Sequence, residues 1–486
     1  MRRLAPVFHL LGLVLVIFAL TMLLPLAIAL SRGNDAAMKA DLTSLAITLA
    51  SGGALWLATR KYKRELQVRD GFLLVALTWS VLPAFGTLPL LFFLPELTFT
   101  DAYFETVSGV TTTGATVLSG LDALPASLNF WRMELQWLGG MGLIVLAVAI
   151  LPLLGVGGSQ LYRAETPGPM KDAKLTPRIA QTAKGLWLVY VGITVACIVS
   201  FQLAGMTWLD AVMHGFTTVS TAGFSSHDAS FAYFDSPVIE AVAIVFMLVG
   251  AMNFASHFLV FRNRSLNPYV RDPEAKWFLL ITLGSCLMLA LYLWQFQVYP
   301  DFWSALRFAS FNTVSIATTT GHVNTDYNQW PIFGPLWMLL LCCFAASAGS
   351  TGGGIKMVRA LLLYKQLFHE MVRTMHPNAA APVKLGGQPV PNNIIFAVLA
   401  FMSVYGVSIV SMTLILTASG LDAITAFSAV VASINNTGPG LNEVGPATNY
   451  AGLADFQTWV CTFAMLLGRL ELFTLLIVLH PKFWQR

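Results

Sequence analysis

"SGVTTTGATVLSG", residues 108–120, sets three consecutive threonines and a glycine between an apolar segment and a polar turn. The arrangement recurs. "TTTGAT" (111–116), "STAGFS" (220–225), "TTTGHV" (318–323) and "NNTGPG" (435–440) each follow a short, mostly apolar segment. Their glycines, Gly114, Gly223, Gly321 and Gly438, lie 109, 98 and 117 residues apart. That period is too long for a solenoid, whose repeats run to roughly 20–50 residues, and points to internal duplication. "TVSGVTTTG" (106–114) and "TVSIATTTG" (313–321) match at seven of nine positions, and an acid (Asp101, Asp210, Asp301, Asp422) opens each short segment.

The chain around these motifs is 56% apolar and 11% charged, with a mean hydropathy of +0.69. Soluble domains carry roughly 25% charged residues, so this composition marks an integral membrane protein. Apolar runs of the length a spanning helix needs recur at Leu10–Leu30, Phe72–Leu94, Leu186–Leu203, Trp277–Trp294 and Ile394–Leu416. The first is long enough to span and is followed by a second (Leu42–Ala58), so it reads as a retained helix rather than a cleaved signal. The five cysteines (Cys197, Cys286, Cys342, Cys343, Cys461) lie in apolar segments without ligand spacing, as small buried hydrophobes do.

Basic residues cluster at Arg60–Arg69, Arg163–Lys184, Arg262–Lys276 and Lys356–Lys384, whereas Glu96–Phe130, Gly205–Phe261 and Gly420–Met465 contain no Lys or Arg. The positive-inside rule places the clusters in the cytoplasm. The expected fold is therefore all-α integral membrane, with ten transmembrane helices, both termini cytoplasmic, and four re-entrant pore helices. The expected division is two leading helices (1–68) and pore units at 69–178, 179–272, 273–385 and 386–486.

The segments between the acids and the glycines are 13 to 20 residues long, too short to cross a core of about 30 Å as helix plus extended strand. They must enter from outside and turn back. Non-helical backbone at that depth is tolerated only in protein or beside water, so four such loops suggest a shared pore. A dehydrating cation needs rings of oxygen ligands. Glycine lets carbonyls approach an axis, threonine and asparagine add side-chain oxygens, and a helix C-terminus aimed at the membrane centre favours a cation. Outer acids (Glu96, Asp101, Asp122, Asp228, Asp235, Glu443) would concentrate cations.

At these motifs, and across "WRMELQWLGGMGLIVLAVAILPLLGVGGSQLYRAETPGPMKD" (131–172), the chain resembles the Trk/Ktr/HKT superfamily of potassium transporters. The two leading helices resemble its TrkH branch. The resemblance implies M1–pore helix–M2 units around one pore, with K⁺ held by the residues before each filter glycine. Carried over, the ligands are Thr111, Thr112 and Thr113; Ser220, Thr221 and Ala222; Thr318, Thr319 and Thr320; and Asn435, Asn436 and Thr437. It also implies potassium uptake across the bacterial inner membrane, a homodimer in the bilayer, and a cytosolic TrkA-like ring that binds NAD(H) or ATP/ADP. The basic loops would dock that ring. The permeant K⁺ is the one ion expected, with no cofactor in this chain, no nucleic-acid partner and no enzymatic constellation.

"FAASAGSTGGGIKMVR" (344–359) interrupts the third unit's inward helix. The resemblance makes Gly349, Ser350, Thr351, Gly352, Gly353 and Gly354 an intramembrane gate beneath the filter; a flexible kink or close helix crossing is the plainer reading. It is no nucleotide loop, because Ile355 stands where that motif needs Lys. "LLGVGGSQ" (153–160) is no dinucleotide loop either, with Gln160 in the last glycine's place. Arg469, in a span, either faces the gate or pairs with Glu471 or capped carbonyls. Lys356 and Arg359 read as interface anchors, and His214, His227 and His322 stay unassigned. A K⁺/H⁺ or K⁺/Na⁺ symporter is the alternative function, although broken helices there usually belong to inverted repeats.

Overall fold

The computed structural model describes residues 4–62, 66–142, 179–377 and 382–485. The 143–172 part of the family-like stretch, the "LLGVGGSQ" segment and the basic residues of 163–178 lie outside these. Among the described residues the architecture is helical, apart from a short hairpin in which Lys384–Leu385 pairs antiparallel with Gln388–Pro389.

Apolar composition dictates long helices, and among the described residues six are long and apolar enough to cross a membrane: Ala5–Arg32, Asp35–Thr59, Arg69–Phe93, Ala183–Leu203, Pro273–Gln295 and Asn392–Ala418. Counting two sharply bent pairs as single spans raises the number to eight, against the ten expected. The shortfall has a physical reason. The helices that return from the short segments do not run straight through: Pro237–Gly250 meets Phe254–Asn263 at 95° and Asp455–Arg469 meets Phe473–Leu479 at 114°. Phe333–Phe344 stops after 12 residues, at the small-residue run. Ala126–Gly140 is described only to its end near Gly142.

The first two spans form a hairpin. Gly33 turns left-handed at φ 64° and Asn34 caps the next helix by accepting from Ala37 N at 3.0 Å. The pair cross closely, since a Cβ on Gly12 would sit 2.7 Å from Trp56 N. Such small-residue crossings let backbones approach where lipid gives no hydrophobic drive.

Four short helices fill the interior: Phe99–Val110, Trp208–Val219, Phe302–Ala317 and Ala423–Ile434. At 12 to 16 residues they reach about 18–24 Å, less than a bilayer core. The acids noted in the sequence start them in two ways. Asp301 and Asp422 are N-caps, whereas Asp101 and Asp210 sit one turn in and accept from the capping hydroxyls of Thr98 and Thr207. Each choice satisfies orphan N–H groups and places negative charge at the positive helix end. The returning helices seat glycines on the far ends. A Cβ on Gly139 would fall on Val110 O, one on Gly468 on Ile434 O, and one on Gly250 would lie 2.9 Å from Val219 O.

Candidate functional site

Each short helix ends in the same way. The first residue of the motif (Thr111, Ser220, Thr318, Asn435) has φ between −75° and −90° with ψ within 2° of zero. The second turns left-handed: Thr112 at φ 57°, Thr221 at 49°, Thr319 at 59° and Asn436 at 54°. The third donates its N–H five residues back, Thr113 to Ser108 O (2.9 Å), Ala222 to Thr217 O (2.8 Å), Thr320 to Ser315 O (2.8 Å) and Thr437 to Ala432 O (2.9 Å). This is the Schellman closure of a helix C-terminus, usually made with glycine at the left-handed position. A β-branched threonine there costs on the order of 1–3 kcal/mol, and persists only where the surroundings enforce it. Three copies bear that cost.

The closure uses the N–H groups and leaves the carbonyls. Among the described residues, no hydrogen bond is donated to the carbonyl oxygens of Thr112, Thr113, Thr221, Ala222, Thr319, Thr320, Asn436 or Thr437. All of these residues are buried. The side chain of the first position turns back into its own helix: Thr111 Oγ1 donates to Val107 O and Thr318 Oγ1 to Val314 O, both at 2.7 Å.

The four glycines close a ring in chain order. A Cβ on Gly114 would lie 2.5 Å from Gly223 N; one on Gly223, 2.7 Å from Thr320 O and 2.9 Å from Gly321 C. One on Gly321 would fall on Thr437 O, and one on Gly438 would lie 2.7 Å from Thr113 O and 2.9 Å from Gly114 C. Gly114, Gly321 and Gly438 are also left-handed, at φ 81°, 83° and 92°. Backbone therefore meets backbone around one axis, and only glycine fits. All four open together onto a single cavity, also lined by Thr116, Ser225, Asp228, Val323 and Tyr450.

On the opposite side lies the small-residue loop. Thr351 Oγ1 donates toward Val219 O and Gly250 O, both at 3.0 Å, and accepts from Thr221 Oγ1 at 3.0 Å. Gly353 N donates to Thr319 Oγ1 at 2.7 Å, and a Cβ on Gly353 would fall on Asn435 O. Gly352 lies against Thr318 O, and Gly354, at φ 77°, against the carbonyls of Cys342 and Cys343. Gly349 and Ser350 face elsewhere: Gly349 O accepts from Phe254 N at 2.9 Å, and Ser350 Oγ donates to Ser347 O at 2.6 Å.

Arg469 joins loop and ring. Its guanidinium donates to Thr112 Oγ1 (3.1 Å), Thr351 O (3.2 Å), Gly140 O (3.2 Å) and Gly139 O. Glu471, the expected alternative partner, bonds Arg359 at 2.7 Å. Lys356 and Arg359 are not interface anchors, for both are buried. Lys356 adopts φ 79° and folds its ammonium onto Gly352 O, while Arg359 sits 4.0 Å over the Phe401 ring.

Outside the ring the acids are partly spoken for. Asp228 accepts from Leu121 N at 3.1 Å, and Asp235 and Glu240 pair with Arg307 at 2.9 and 2.7 Å. His227 bridges Asp122 (2.5 Å) and Asp210 (3.5 Å) and stacks on Tyr233. Burial pulls the His227 imidazole down, but hydrogen bonds and charge from Asp210 and Asp122 outweigh it and hold its pKa above 6.5. Asp210, despite burial, is held down to about 2 by His227 and Thr207. His214 lies 6.3 Å from both His227 and His322, so the three unassigned histidines gather in one place; no metal-holding group is found among the described residues.

Sequence reasoning missed Arg132, Arg307 and the histidine gathering. Arg132 stands on the first unit's returning helix beside Glu134 and Gln136, and by the same logic that singled out Arg469 it could have been found.

Residues 38–486 match the family model TrkH, described as a cation transport protein. The chain is 47% identical over 475 residues to the Trk system potassium uptake protein TrkH of Escherichia coli (strain K12), covering 98% of each. It is 38% identical over 478 residues to the TrkG protein of the same strain, again covering 98% of each. The crystal structure of the potassium transporter TrkH from Vibrio parahaemolyticus matches with a TM-score of 0.89 and 44% identity, over 100% of both chains. These relatives are named as transporters, not enzymes. The chain belongs to the TrkH family of cation transport proteins.

Proposed function

We propose that this chain takes up potassium across a bacterial inner membrane through a gated, channel-like filter. The observation that carries the reading is the closed ring of Gly114, Gly223, Gly321 and Gly438, with unbonded carbonyl oxygens from four equivalent strands beside it. Such oxygens can take the place of water around a monovalent cation. The short helices are then re-entrant pore helices whose negative ends face the ion, and the strands Thr111–Gly114, Ser220–Gly223, Thr318–Gly321 and Asn435–Gly438 bind K⁺, the transported ion.

The loop 349–354 and Arg469 are the gate, shut in this conformation. Arg469 and Gly353 N donate to the hydroxyls of Thr112 and Thr319, Thr351 Oγ1 accepts from that of Thr221 at the cytoplasmic end of the filter, and a fixed guanidinium there repels a cation. The helix Met357–Met375 continues directly from the loop and exposes Tyr364, Leu367, Phe368 and Met371 beside Glu370 and Arg373, a mixed surface that suits a lever for a cytosolic nucleotide-binding ring acting on a homodimer. Ten crossings, with both termini inside, agree with the positive-inside pattern.

Rubidium flux into vesicles holding the purified chain tests this. Saturable Rb⁺ entry, inhibited by K⁺ more than by Na⁺ and driven by voltage at zero pH gradient, is expected. Entry that requires a proton or sodium gradient would mean a symporter instead.

A further inference from the structure

Behind the first filter strand lies a buried ion pair in which both side chains are 1% exposed, Glu105 on the first short helix and Arg132 on the returning helix. Arg132 Nε donates to Glu105 Oε1 at 2.8 Å, and its terminal nitrogen lies 2.6 Å from the same oxygen. A buried ion pair is a poor source of stability, since desolvation offsets the attraction. What this pair does contribute is position.

Glu105 also accepts from Thr116 Oγ1 and Val117 N, both at 3.0 Å, and these residues lie just outside Gly114. Arg132 reaches across to the second strand, donating to Ser225 O at 3.4 Å and lying 4.4 Å over the ring of Phe224, the residue after Gly223. One turn further along, Gln136 Oε1 accepts from Phe224 N at 3.1 Å. The two charged groups thus tie the outer ends of two adjacent filter strands to each other. In the other copies uncharged groups hold the strand to its helix: His214 to Ser225 at 2.9 Å, Asn312 to Asn324 at 2.6 Å and Ser428 to Leu441 N at 2.9 Å.

We infer that Glu105 and Arg132 are selectivity-positioning residues, which fix the spacing of the first two strands at the outer end of the filter without touching the ion. The inference rests on the filter reading above. Because the remaining two strands are braced by neutral groups, a lost charge brace loosens the ring on one side, and a looser ring discriminates less between a larger and a smaller cation.

The test measures Rb⁺ and Na⁺ flux into vesicles for the wild type, Glu105→Gln, Arg132→Leu and Arg132→Lys, with monodispersity checked in detergent. The Na⁺/Rb⁺ flux ratio is expected to rise about tenfold in the first two variants, a change of about 1.4 kcal/mol in discrimination. Arg132→Lys keeps the charge but lacks the fork that serves two strands, and is expected to raise the ratio by a smaller factor. If Glu105→Gln or Arg132→Leu fails to fold, Arg132→Lys decides. An unchanged ratio in the folded variants, with only total flux altered, overturns the inference. A wild type that carries no Rb⁺, or does not prefer it over Na⁺, overturns the filter reading instead.

Discussion

The guanidinium of Arg469 donates a hydrogen bond to the hydroxyl of Thr112 at 3.1 Å, across 357 residues of sequence. It connects the end of the last returning helix to the strained residue of the first filter strand, and with Thr351 O it holds the loop in place. In the proposed gate, removing this side chain withdraws both the lock and a positive charge from the path of the ion. Arg469→Ala is expected to raise basal Rb⁺ flux about tenfold, since hydrogen bonds from a charged group contribute about 1.5–3 kcal/mol to the shut state. Unchanged or reduced flux in a well-expressed variant would count against the gate.

Thr351 tests the same lock from the loop's side. Its hydroxyl meets Val219 O, Gly250 O and Thr221 Oγ1. Thr351→Val keeps the shape and loses these bonds, and should raise basal flux about threefold, a smaller effect than that of the charged residue. Thr351→Ser should behave as wild type in the same vesicle assay.

Two glycines discriminate filter from gate. Gly321→Ala would drive a Cβ onto Thr437 O and should abolish Rb⁺ uptake. Gly353→Ala would drive one onto Asn435 O, unseating the loop while leaving the ring, and should raise basal flux. Gly406→Ala, where nothing lies within 4 Å, is the control and should leave flux unchanged. If Gly353→Ala lowered flux with protein level maintained, the loop would not be an obstruction.

The His227 bridge predicts a pH dependence of stability. Its pKa is raised in the folded protein, so its contribution is fully present below the unfolded imidazole value and is lost as pH rises through the folded one. Asp122, opposed by burial but held low by His227 and Asp228, loses its part only as pH falls through its lowered value. His227→Gln should therefore lower the melting temperature in detergent near about pH 6 and leave it unaltered near about pH 9. The shift should be about one degree, because a partly exposed pair contributes no more than about 1 kcal/mol. An equal deficit at both pH values would show that the ring's stacking on Tyr233 matters instead of its charge.

Much of the site was legible because it is local. A helix end, a left-handed residue and a glycine occupy four consecutive positions, and their conformations follow from neighbours within five residues, as the repeated Ser108 and Ser315 closures demonstrate. Four copies of such a motif announce themselves without any knowledge of what they face. The outer acids were legible as charges but not as caps and braces, because Asp235 pairs with Arg307, 72 positions further along the chain.

By itself, the sequence determined a helical membrane chain, four copies of one helix–strand turn, and a run of small residues unable to continue a helix. Only the tertiary structure decided that the copies close on one axis, that Gly353 lies against Asn435 of the fourth copy as well as against Thr319 of its own, and that Arg469 and Arg132 each hold a strand of the glycine ring. Propensity and capping act over one turn of backbone, whereas a guanidinium's partners are chosen by which helices pack together, and that choice is written in shape complementarity spread over the whole chain.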